Sequence, residues 1–427
     1  MTALLAILAL VFPAQDSISP AAAQEAFGEY EEAAVADGGE LWGRELLGPL
    51  LFADRATRAV VANQPDEQGK LIEQNGVFVA TLPLEVGIAN TALDWAGVRW
   101  TMVMWPLPAE RFSRVTLLMH EAFHRVQPTL AHAGGSELSP HLDQETGRVW
   151  LRLEMRALAR ALRSREAAQK TAMGDALLFR TRRQALFPPA RALEASVERN
   201  EGLAEYTGFT LCGASPEVRA ERAAQKLLMD ERGASFVRSF AYATGPGYGI
   251  LLDQHAEGWR ARVGKESELA ALLAEALGWK APAELASAAE AASADYDGAK
   301  VRAEERTRAE KQAARAAELR ARYVDSPVLV LPLGAGVNFT FDPTDIATFE
   351  GLGSFYGSIS ITESWGVLEA GGGALVERDA RGAMTAVRVP APASEAPPLS
   401  GPGWKLTLAS GWKLVSLKRE GSWTAER

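Results

Sequence analysis

The clearest chemical signal in the sequence is a pair of histidines four residues apart, His120-Glu121-Ala122-Phe123-His124. On an α-helix, residues i and i+4 lie on one face, one turn apart, so both imidazoles can reach a single zinc ion. Glu121 points elsewhere and does not bind the metal. In such motifs the glutamate at this position is the base that takes a proton from the zinc-activated water. The pattern predicts a catalytic zinc site with His120 and His124 as ligands and Glu121 as the base.

An amphipathic helix over residues 111–127 is predicted to carry this motif. Its apolar positions recur at helical spacing and form one stripe. The stripe comprises Val115, Leu118, Met119, Ala122, Phe123 and Val126. Because both histidines project away from most of this stripe, the helix can pack into a core while the histidines face a cleft. Pro128 ends the helix.

The composition restricts what else can bind the metal. The chain has five histidines and one cysteine, Cys212, which excludes a zinc site built from several thiolates and a disulfide framework within the chain. Histidines and carboxylates must therefore supply the ligands, and this donor set suits Zn²⁺. The formal net charge of −9 argues against a nucleic-acid-binding surface.

A catalytic zinc needs a third protein ligand and one open position. His132 lies eight residues after His124 (132 − 124 = 8), which does not match the spacing of the third histidine in metzincins. The better candidates are Glu201 and Glu205, in a predicted helix over residues 193–209.

Residues 200–206 read Asn-Glu-Gly-Leu-Ala-Glu-Tyr and resemble the N-E-G-F-A-x-Y stretch of the gluzincin peptidases, the aminopeptidase N and thermolysin-like superfamily. In that family, HExxH is followed by a helix whose glutamate completes the zinc site. The resemblance implies a zincin-like fold, peptide hydrolysis with Zn²⁺, Glu201 as the third ligand, and Gly202 as a point of close helix approach. It covers two short blocks of the chain.

The sequence departs from the family in two ways. The gap from His124 to Glu201 is 77 residues (201 − 124 = 77), longer than in the best-known members, which predicts an inserted helical hairpin over residues 150–183. The G-x-M-E-N block with which aminopeptidases grip the substrate amine does not occur. Endopeptidase and exopeptidase action both stay open.

Two alternatives concern the glutamates near the second block. Glu205 could bind the metal in place of Glu201, or could support a ligand histidine from behind. Glu194, Glu198, Glu201 and Glu205 could also form an ordinary solvated helix face.

Charge that develops in the transition state needs a hydrogen-bond donor near the zinc. Residues 244–249, Thr-Gly-Pro-Gly-Tyr-Gly, predict a loop, and His255 follows it. Tyr248 and His255 are the candidates for this role, with Tyr242 a weaker one. The alternative is a simple turn with an ordinary packed aromatic residue.

The strand-like run over residues 98–105 precedes the motif helix. In gluzincins the strand in this position is the sheet edge that pairs with extended substrate, and strand addition is a sound way to hold a peptide. The resemblance therefore predicts an edge strand here. The alternative is that Trp100, Met102 and Met104 are core residues.

The N-terminus predicts export. An apolar run over residues 1–12 is followed by Ala21-Ala22-Ala23, an A-x-A cleavage pattern, although no Lys or Arg precedes the run. We interpret residues 1–23 as a signal peptide and expect a secreted, periplasmic or cell-envelope protein. No other segment approaches the ~20 apolar residues of a membrane span.

The remaining chain divides by pattern into four parts. Residues 24–108 predict an N-terminal α/β part, 109–299 a helical catalytic region, 300–325 a charged connecting helix, and 326–427 a small all-β module. The predicted fold is α+β: a mainly helical zincin-like metallopeptidase domain with an N-terminal mixed sheet, plus the C-terminal β module.

The sequence thus predicts an exported zinc metallopeptidase acting on a peptide or protein substrate. The alternatives are a catalytically silent peptidase-fold binding protein of the cell envelope, or a metallohydrolase of a non-peptide amide. Glu121 favours catalysis, because a purely structural metal site has no use for a base at that position.

Overall fold

A computed structural model describes residues 18–131, 135, 137–334, 337–342, 345–349, 353–379, 381–394, 397–417 and 421–427. The chain is an α+β protein that divides into two compact units, Met1–Glu305 and Arg306–Arg427. Most of the predicted signal peptide, and His132, lie outside the described residues. Ala21, Ala22 and Ala23 lie in the first turn of a helix, where Ala23 is fully buried. Signal cleavage and export stay predictions.

The first unit begins with a helix and a six-stranded sheet. Helix α1 spans Pro20–Asp37. The strands are β1 (Leu50–Asp54), β2 (Ala59–Ala62), β3 (Ile72–Gln74), β4 (Val77–Thr81), β5 (Thr91–Trp95) and β6 (Val98–Trp105). They lie in the order β3-β4-β2-β1-β6-β5, and β1 pairs with β6 in parallel while the other neighbours are antiparallel.

Strand β6 is not the sheet edge, so the prediction of an edge strand before the motif helix is wrong. A tight hairpin through Ala96 and Gly97, both with positive φ, turns β5 back along β6. Past the start of β5, the Asn90 Oδ1 atom accepts a hydrogen bond from the Met104 backbone N–H at 2.8 Å. Trp100 is fully buried, as the core alternative requires.

The rest of this unit is helical. The helices are α2 (Arg111–Val126), α3 (Glu145–Arg163), α4 (Glu166–Leu186), α5 (Ala190–Val197), α6 (Leu203–Leu211), α7 (Pro216–Asp230), α8 (Ala241–His255), α9 (Leu269–Leu277) and α10 (Leu285–Ser293). A π-helical turn, Glu198–Gly202, joins α5 to α6. Helices α3 and α4 pack together, which confirms the helical hairpin predicted between the two motif blocks. Among the described residues, no helix is long and apolar enough to cross a membrane.

Helix α2 joins two of the hydrophobic cores of this unit. Most of its apolar stripe, including Leu118 and Met119, is buried in the core shared with the sheet and α1. Phe123 instead belongs to the core of the helices that follow. Because α2 is held on both sides, the histidines on its remaining face are fixed in place.

The second unit is rich in β-structure, as predicted. Helix α11 (Gly298–Arg320) leads into it. Its strands are β7 (Val328–Pro332), β8 (Asn338–Phe341), β9 (Ile346–Phe349), β10 (Gly353–Tyr356), β11 (Ile359–Glu363), β12 (Gly366–Ala370), β13 (Ala374–Arg378), β14 (Met384–Pro390), β15 (Leu399–Gly401), β16 (Trp404–Leu408), β17 (Lys413–Ser416) and β18 (Trp423–Glu426). They form sheets of seven strands, β17-β18-β7-β14-β13-β10-β9, and five strands, β15-β16-β12-β11-β8. Trp365 and Trp404 are buried in the core that these sheets share.

Candidate metal centre

Helix α2 and the π-helical turn bring His120, His124 and Glu201 together. The two Nε2 atoms lie 3.1 Å apart. The Glu201 Oε2 atom lies 3.6 Å from the Nε2 atom of His120 and 3.5 Å from that of His124. One nitrogen or oxygen atom from each residue thus forms a small triangle.

The triangle fits a zinc ion. Donor atoms about 2.0–2.2 Å from a tetrahedral zinc lie about 3.3–3.6 Å from one another. The three distances of 3.1, 3.5 and 3.6 Å are close to this range. Two imidazoles and one carboxylate are also a donor set that catalytic zinc sites use. The residues present therefore suit the metal that the sequence predicts.

The other ring nitrogen of each histidine has its own partner. The His120 Nδ1 atom lies 2.8 Å from Glu205 Oε2, and the His124 Nδ1 atom lies 2.9 Å from Gln127 Oε1. Each Nδ1–H can donate to these oxygens, which leaves Nε2 as the nitrogen that faces the triangle. Glu205 thus lies behind a histidine, in the supporting position that was one of its two sequence-based alternatives.

Three further side chains hold Glu201. The Tyr242 hydroxyl donates to Oε2 at 2.5 Å, and the Tyr242 ring stacks on the His120 ring with centroids 5.5 Å apart. Arg238 donates to Oε1, and Asn200 Nδ2 donates to the same oxygen at 2.9 Å. Tyr242 and the histidines therefore share Oε2, while Arg238 and Asn200 share Oε1.

Glycines set the approach of the neighbouring helices. A Cβ added at Gly245 in α8 would lie 2.3 Å from the Gly202 Cα atom, and one at Gly208 in α6 would lie 2.3 Å from the Thr116 carbonyl oxygen in α2. Side chains at these crossings would push the helices apart. Close helix approach at Gly202, which the family resemblance implies, is confirmed.

Opposite charges dominate the electrostatics of the cluster. Burial lowers the pKa of His120, but the carboxylates of Glu201 and Glu205 outweigh it and raise the pKa to about 10. Burial raises the pKa of Glu201, yet hydrogen bonds from the two histidines, Tyr242 and Arg238 hold it well below its usual range. His120 and Glu201 thus stabilise each other's charged forms.

Glu121 faces a cavity of about 540 Å³ that lies along α2, α6 and α7. Its side chain is 6% exposed, and its Oε2 atom has no hydrogen-bond partner among the described residues. Burial raises the pKa of this carboxyl group, against the opposing effect of the nearby histidines. The cavity is also lined by His120, Phe112, Leu117 and Phe209. A largely buried carboxyl group therefore lines this cavity.

The structure places Tyr248 and His255 away from the triangle. Residues 244–249 belong to α8 and are not a loop, so that prediction is wrong. Tyr248 is fully buried, and its hydroxyl donates to Glu154 Oε1 at 2.7 Å. His255 lines a different cavity and contacts Gln169 Oε1 at 3.1 Å. The roles predicted for them have no support from these positions.

Helical spacing shows why Tyr242, the weaker candidate, is the one at the cluster. Tyr242, Gly245 and Gly249 recur at i, i+3 and i+7, which is one helix face. Gly245 meets Gly202 and Gly249 meets Tyr206, so this face packs on the turn and helix that carry Glu201. Tyr248 projects from another face. Sequence reasoning gave no role to Gln127 or Arg238, which reach the cluster from short connecting segments.

Comparison with known proteins found no family model that matches the chain, and no curated protein or solved structure similar to it.

Proposed function

We propose that the protein is a zinc-dependent metallopeptidase of gluzincin type, with His120, His124 and Glu201 holding the metal. The observation that carries the proposal is the triangle of donor atoms next to a buried glutamate that faces a cavity. Chance similarity in two short sequence blocks does not require these residues to meet, because 77 residues separate His124 from Glu201 (201 − 124 = 77).

Zinc at this site would act as a Lewis acid and lower the pKa of a water molecule for attack on an amide. The protein's part is to fix the donor atoms. Glu205 and Gln127 orient the two imidazoles, and Tyr242 and Arg238 orient the Glu201 carboxylate. Fixed ligands limit the geometry that the metal can adopt.

Glu121 is the proposed proton carrier. Its carboxylate, which lines the cavity, can accept a proton from the attacking water and can return it to the leaving amine. Burial, which raises its pKa, makes the carboxylate a stronger base than an exposed glutamate. The Tyr242 hydroxyl, bonded to Glu201, is the proposed neighbouring hydrogen-bond donor in place of Tyr248.

The cavity beside Glu121 supplies a place for part of the substrate. Phe112, Leu117 and Phe209 give it an apolar side, and Lys226 and Asp230 give it charged groups. A peptide with a large apolar side chain next to the cleaved bond suits such a site. The proposed location is the periplasm, the cell envelope or the medium, on the basis of the N-terminal apolar run.

Glu121 also distinguishes this proposal from a silent binding protein on a peptidase-like scaffold. An unpartnered buried carboxylate costs stability and would not be needed if the metal only held the fold together. A metallohydrolase of a non-peptide amide would use the same groups, so substrate screening separates these two enzymes.

The test is hydrolysis of a peptide library by the full chain loaded with zinc, followed by mass spectrometry. Glu121→Gln should lower the rate by about 10²–10⁴-fold, the usual contribution of general acid–base catalysis, and should keep its zinc. Glu257→Gln, which alters an exposed glutamate, is the matched control. Equal rates for wild type and Glu121→Gln would overturn the role of Glu121. If zinc-loaded wild type cleaves no peptide, the proposed activity is wrong.

A further inference from the structure

Gln127 connects the two chain segments that form the triangle. It follows the last residue of α2 and is 6% exposed. Its Oε1 atom contacts His124 Nδ1 at 2.9 Å. Its Nε2 atom donates to the carbonyl oxygens of Arg199 and Asn200 at 3.0 and 3.3 Å. One buried amide therefore touches a histidine and the backbone directly before Glu201.

The contacts fix which way the amide points. Carbonyl oxygens only accept hydrogen bonds, so the NH₂ group of Gln127 must face Arg199 and Asn200. Its oxygen then faces His124 and requires Nδ1 to be the donor. In the neutral ring, Nε2 keeps its lone pair on the side of Glu201. The backbone of one segment thus determines the tautomer of a histidine on another.

The second contact falls on an unusual piece of backbone. Arg199 and Asn200 belong to the π-helical turn, in which the Leu203 N–H bonds to the Glu198 carbonyl five residues earlier. Single π-turns of this kind are rare and often occur at functional sites. The turn is wider than an α-helical one, and Glu201 is the next residue after Asn200. Anchoring these two carbonyls therefore anchors the Glu201 backbone.

We propose that Gln127 is a positioning residue that sets the separation of His124 and Glu201 and thereby the affinity of the site for zinc. The inference rests on the proposed zinc function of the same residues. It assigns Gln127 no contact with substrate. Partners behind metal ligands typically contribute about 10–100-fold to metal affinity, and we expect an effect of that size here.

Two variants separate the two halves of the connection. Gln127→Met keeps the length of the side chain and removes both kinds of hydrogen bond. Gln127→Glu keeps an acceptor for His124 but removes both donors and directs a carboxylate at two carbonyl oxygens. A carboxylate partner alone would strengthen a histidine ligand, so only loss of the backbone anchor weakens zinc binding in this variant.

Gln169 provides a matched control. It is also a buried glutamine, 8% exposed, whose Oε1 atom contacts a histidine, His255, at 3.1 Å and whose Nε2 atom donates to the Ala161 carbonyl at 3.2 Å. Gln169→Met therefore removes the same types of bond, and one to Gln254 Oε1, none of which involves a residue of the triangle. It measures what such a loss does to stability without touching a metal ligand.

The experiment measures zinc affinity of the full chain by competition with a chromophoric chelator, together with thermal unfolding. The visible absorption of bound Co²⁺ reports the ligand geometry. Both Gln127 variants should bind zinc about 10–100-fold more weakly and alter the Co²⁺ spectrum, while Gln169→Met keeps wild-type affinity and spectrum. If wild type and both Gln127 variants bind zinc equally, the inference is wrong and the zinc site stands. If Gln127→Glu binds as tightly as wild type, the backbone anchor has no role and the inference is likewise wrong. Wild type that binds no zinc overturns the proposed function itself.

Discussion

Four glutamates on one continuous stretch, from α5 through the π-helical turn to α6, divide between two clusters. Glu198 and Glu194 pair with Arg180 and Arg183, and Glu194 also contacts His141. Glu201 and Glu205 pair with the histidines of α2, and Glu201 also pairs with Arg238. Glu194, Glu198 and Glu201 are each at most 2% exposed. The alternative that these residues form a solvated helix face is therefore wrong, and their partners distinguish the two clusters.

The arginine cluster is closed on all sides. Arg180 donates to Glu154 at 2.7 Å and with two nitrogens to Glu198, and Arg183 donates to Glu194 at 2.7 Å. All five side chains are buried, with at most 1% exposed. A guanidinium carries its charge at every ordinary pH and these side chains are buried, so we interpret the arginine pairs as structural.

The histidine cluster also pairs glutamates with basic side chains, but its histidines can lose their proton. An imidazole can give up its proton and present a lone pair, which a guanidinium cannot do. The cluster also borders the cavity through His120, Glu121, Glu205 and Tyr242. The comparison shows that burial of charge alone does not mark a functional site. The kind of cation and access from a cavity are what support the proposed metal site.

The largest expected effect on stability lies in the arginine cluster. Arg180→Met leaves Glu154 and Glu198 buried without that partner, and loss of one member of a buried ion pair costs about 3–5 kcal/mol. Urea unfolding of the full chain measures this. Arg182→Met, on the same helix but only partly buried, is the control. Glu201→Gln should destabilise the protein less than Arg180→Met. Equal stability of the two arginine variants would contradict this account of the closed cluster.

A smaller effect is expected where α8 crosses the π-helical turn. A Cβ at Gly245 would lie 2.3 Å from the Gly202 Cα atom, so Gly245→Ala must move backbone and should cost about 1–3 kcal/mol. It should also weaken zinc binding, because Tyr242 and Glu201 lie on the two elements that separate. Gly174→Ala is the control, since its Cβ would meet only Trp279 at 3.6 Å.

In the control Gly174→Ala, alanine in a helix interior should raise the free energy of unfolding by about 0.5–1 kcal/mol relative to glycine. Chemical denaturation and zinc titration of both variants check the prediction. A Gly245→Ala variant as stable as Gly174→Ala would show that the crossing tolerates a side chain.

The smallest expected effect is a change in how stability depends on pH. Burial raises the pKa of Glu194, but Arg183 and His141 outweigh it and hold the pKa well below the ordinary value of 4.5. The folded state therefore binds fewer protons than the unfolded state near that pH. The stabilisation is present above about pH 5 and is lost as the pH falls towards the folded-state pKa.

Glu194→Gln removes this titrating group. Its stability should fall less steeply than that of wild type between about pH 5 and pH 3, as measured by urea midpoints. Glu257→Gln, at an exposed site, should follow the wild-type slope more closely. Parallel curves for wild type and Glu194→Gln would refute the assignment of a depressed pKa to Glu194.

Much of the centre could be predicted because its signals are local. The helix with the two histidines follows from spacing and an apolar stripe, and α2 ends within one residue of the predicted end. Glu201 follows from a short block of sequence. Signals that depend on distant contacts were not accessible: the arginine partners of Glu194 and Glu198 lie on α4, and nothing in their spacing identifies them.

Two errors have identifiable causes. Glycine and proline in residues 244–249 indicate a loop by propensity, yet the glycines are needed for close packing inside α8. The hairpin that covers β6 turns on Ala96-Gly97, which lacks the usual asparagine or aspartate signal. In the first case tertiary packing outweighs local preference. The second prediction rested on the family resemblance, and in this chain β5 covers that side of β6.

The central claim is that His120, His124 and Glu201 hold a zinc ion beside the base Glu121. Elemental analysis of the full chain, purified without chelator and supplied with zinc, tests it most directly in wild type, Glu121→Gln and Glu201→Gln. We predict stoichiometric zinc in wild type and in Glu121→Gln, and strongly reduced zinc in Glu201→Gln. Wild type without bound zinc, or Glu201→Gln with as much zinc as wild type, would contradict the account.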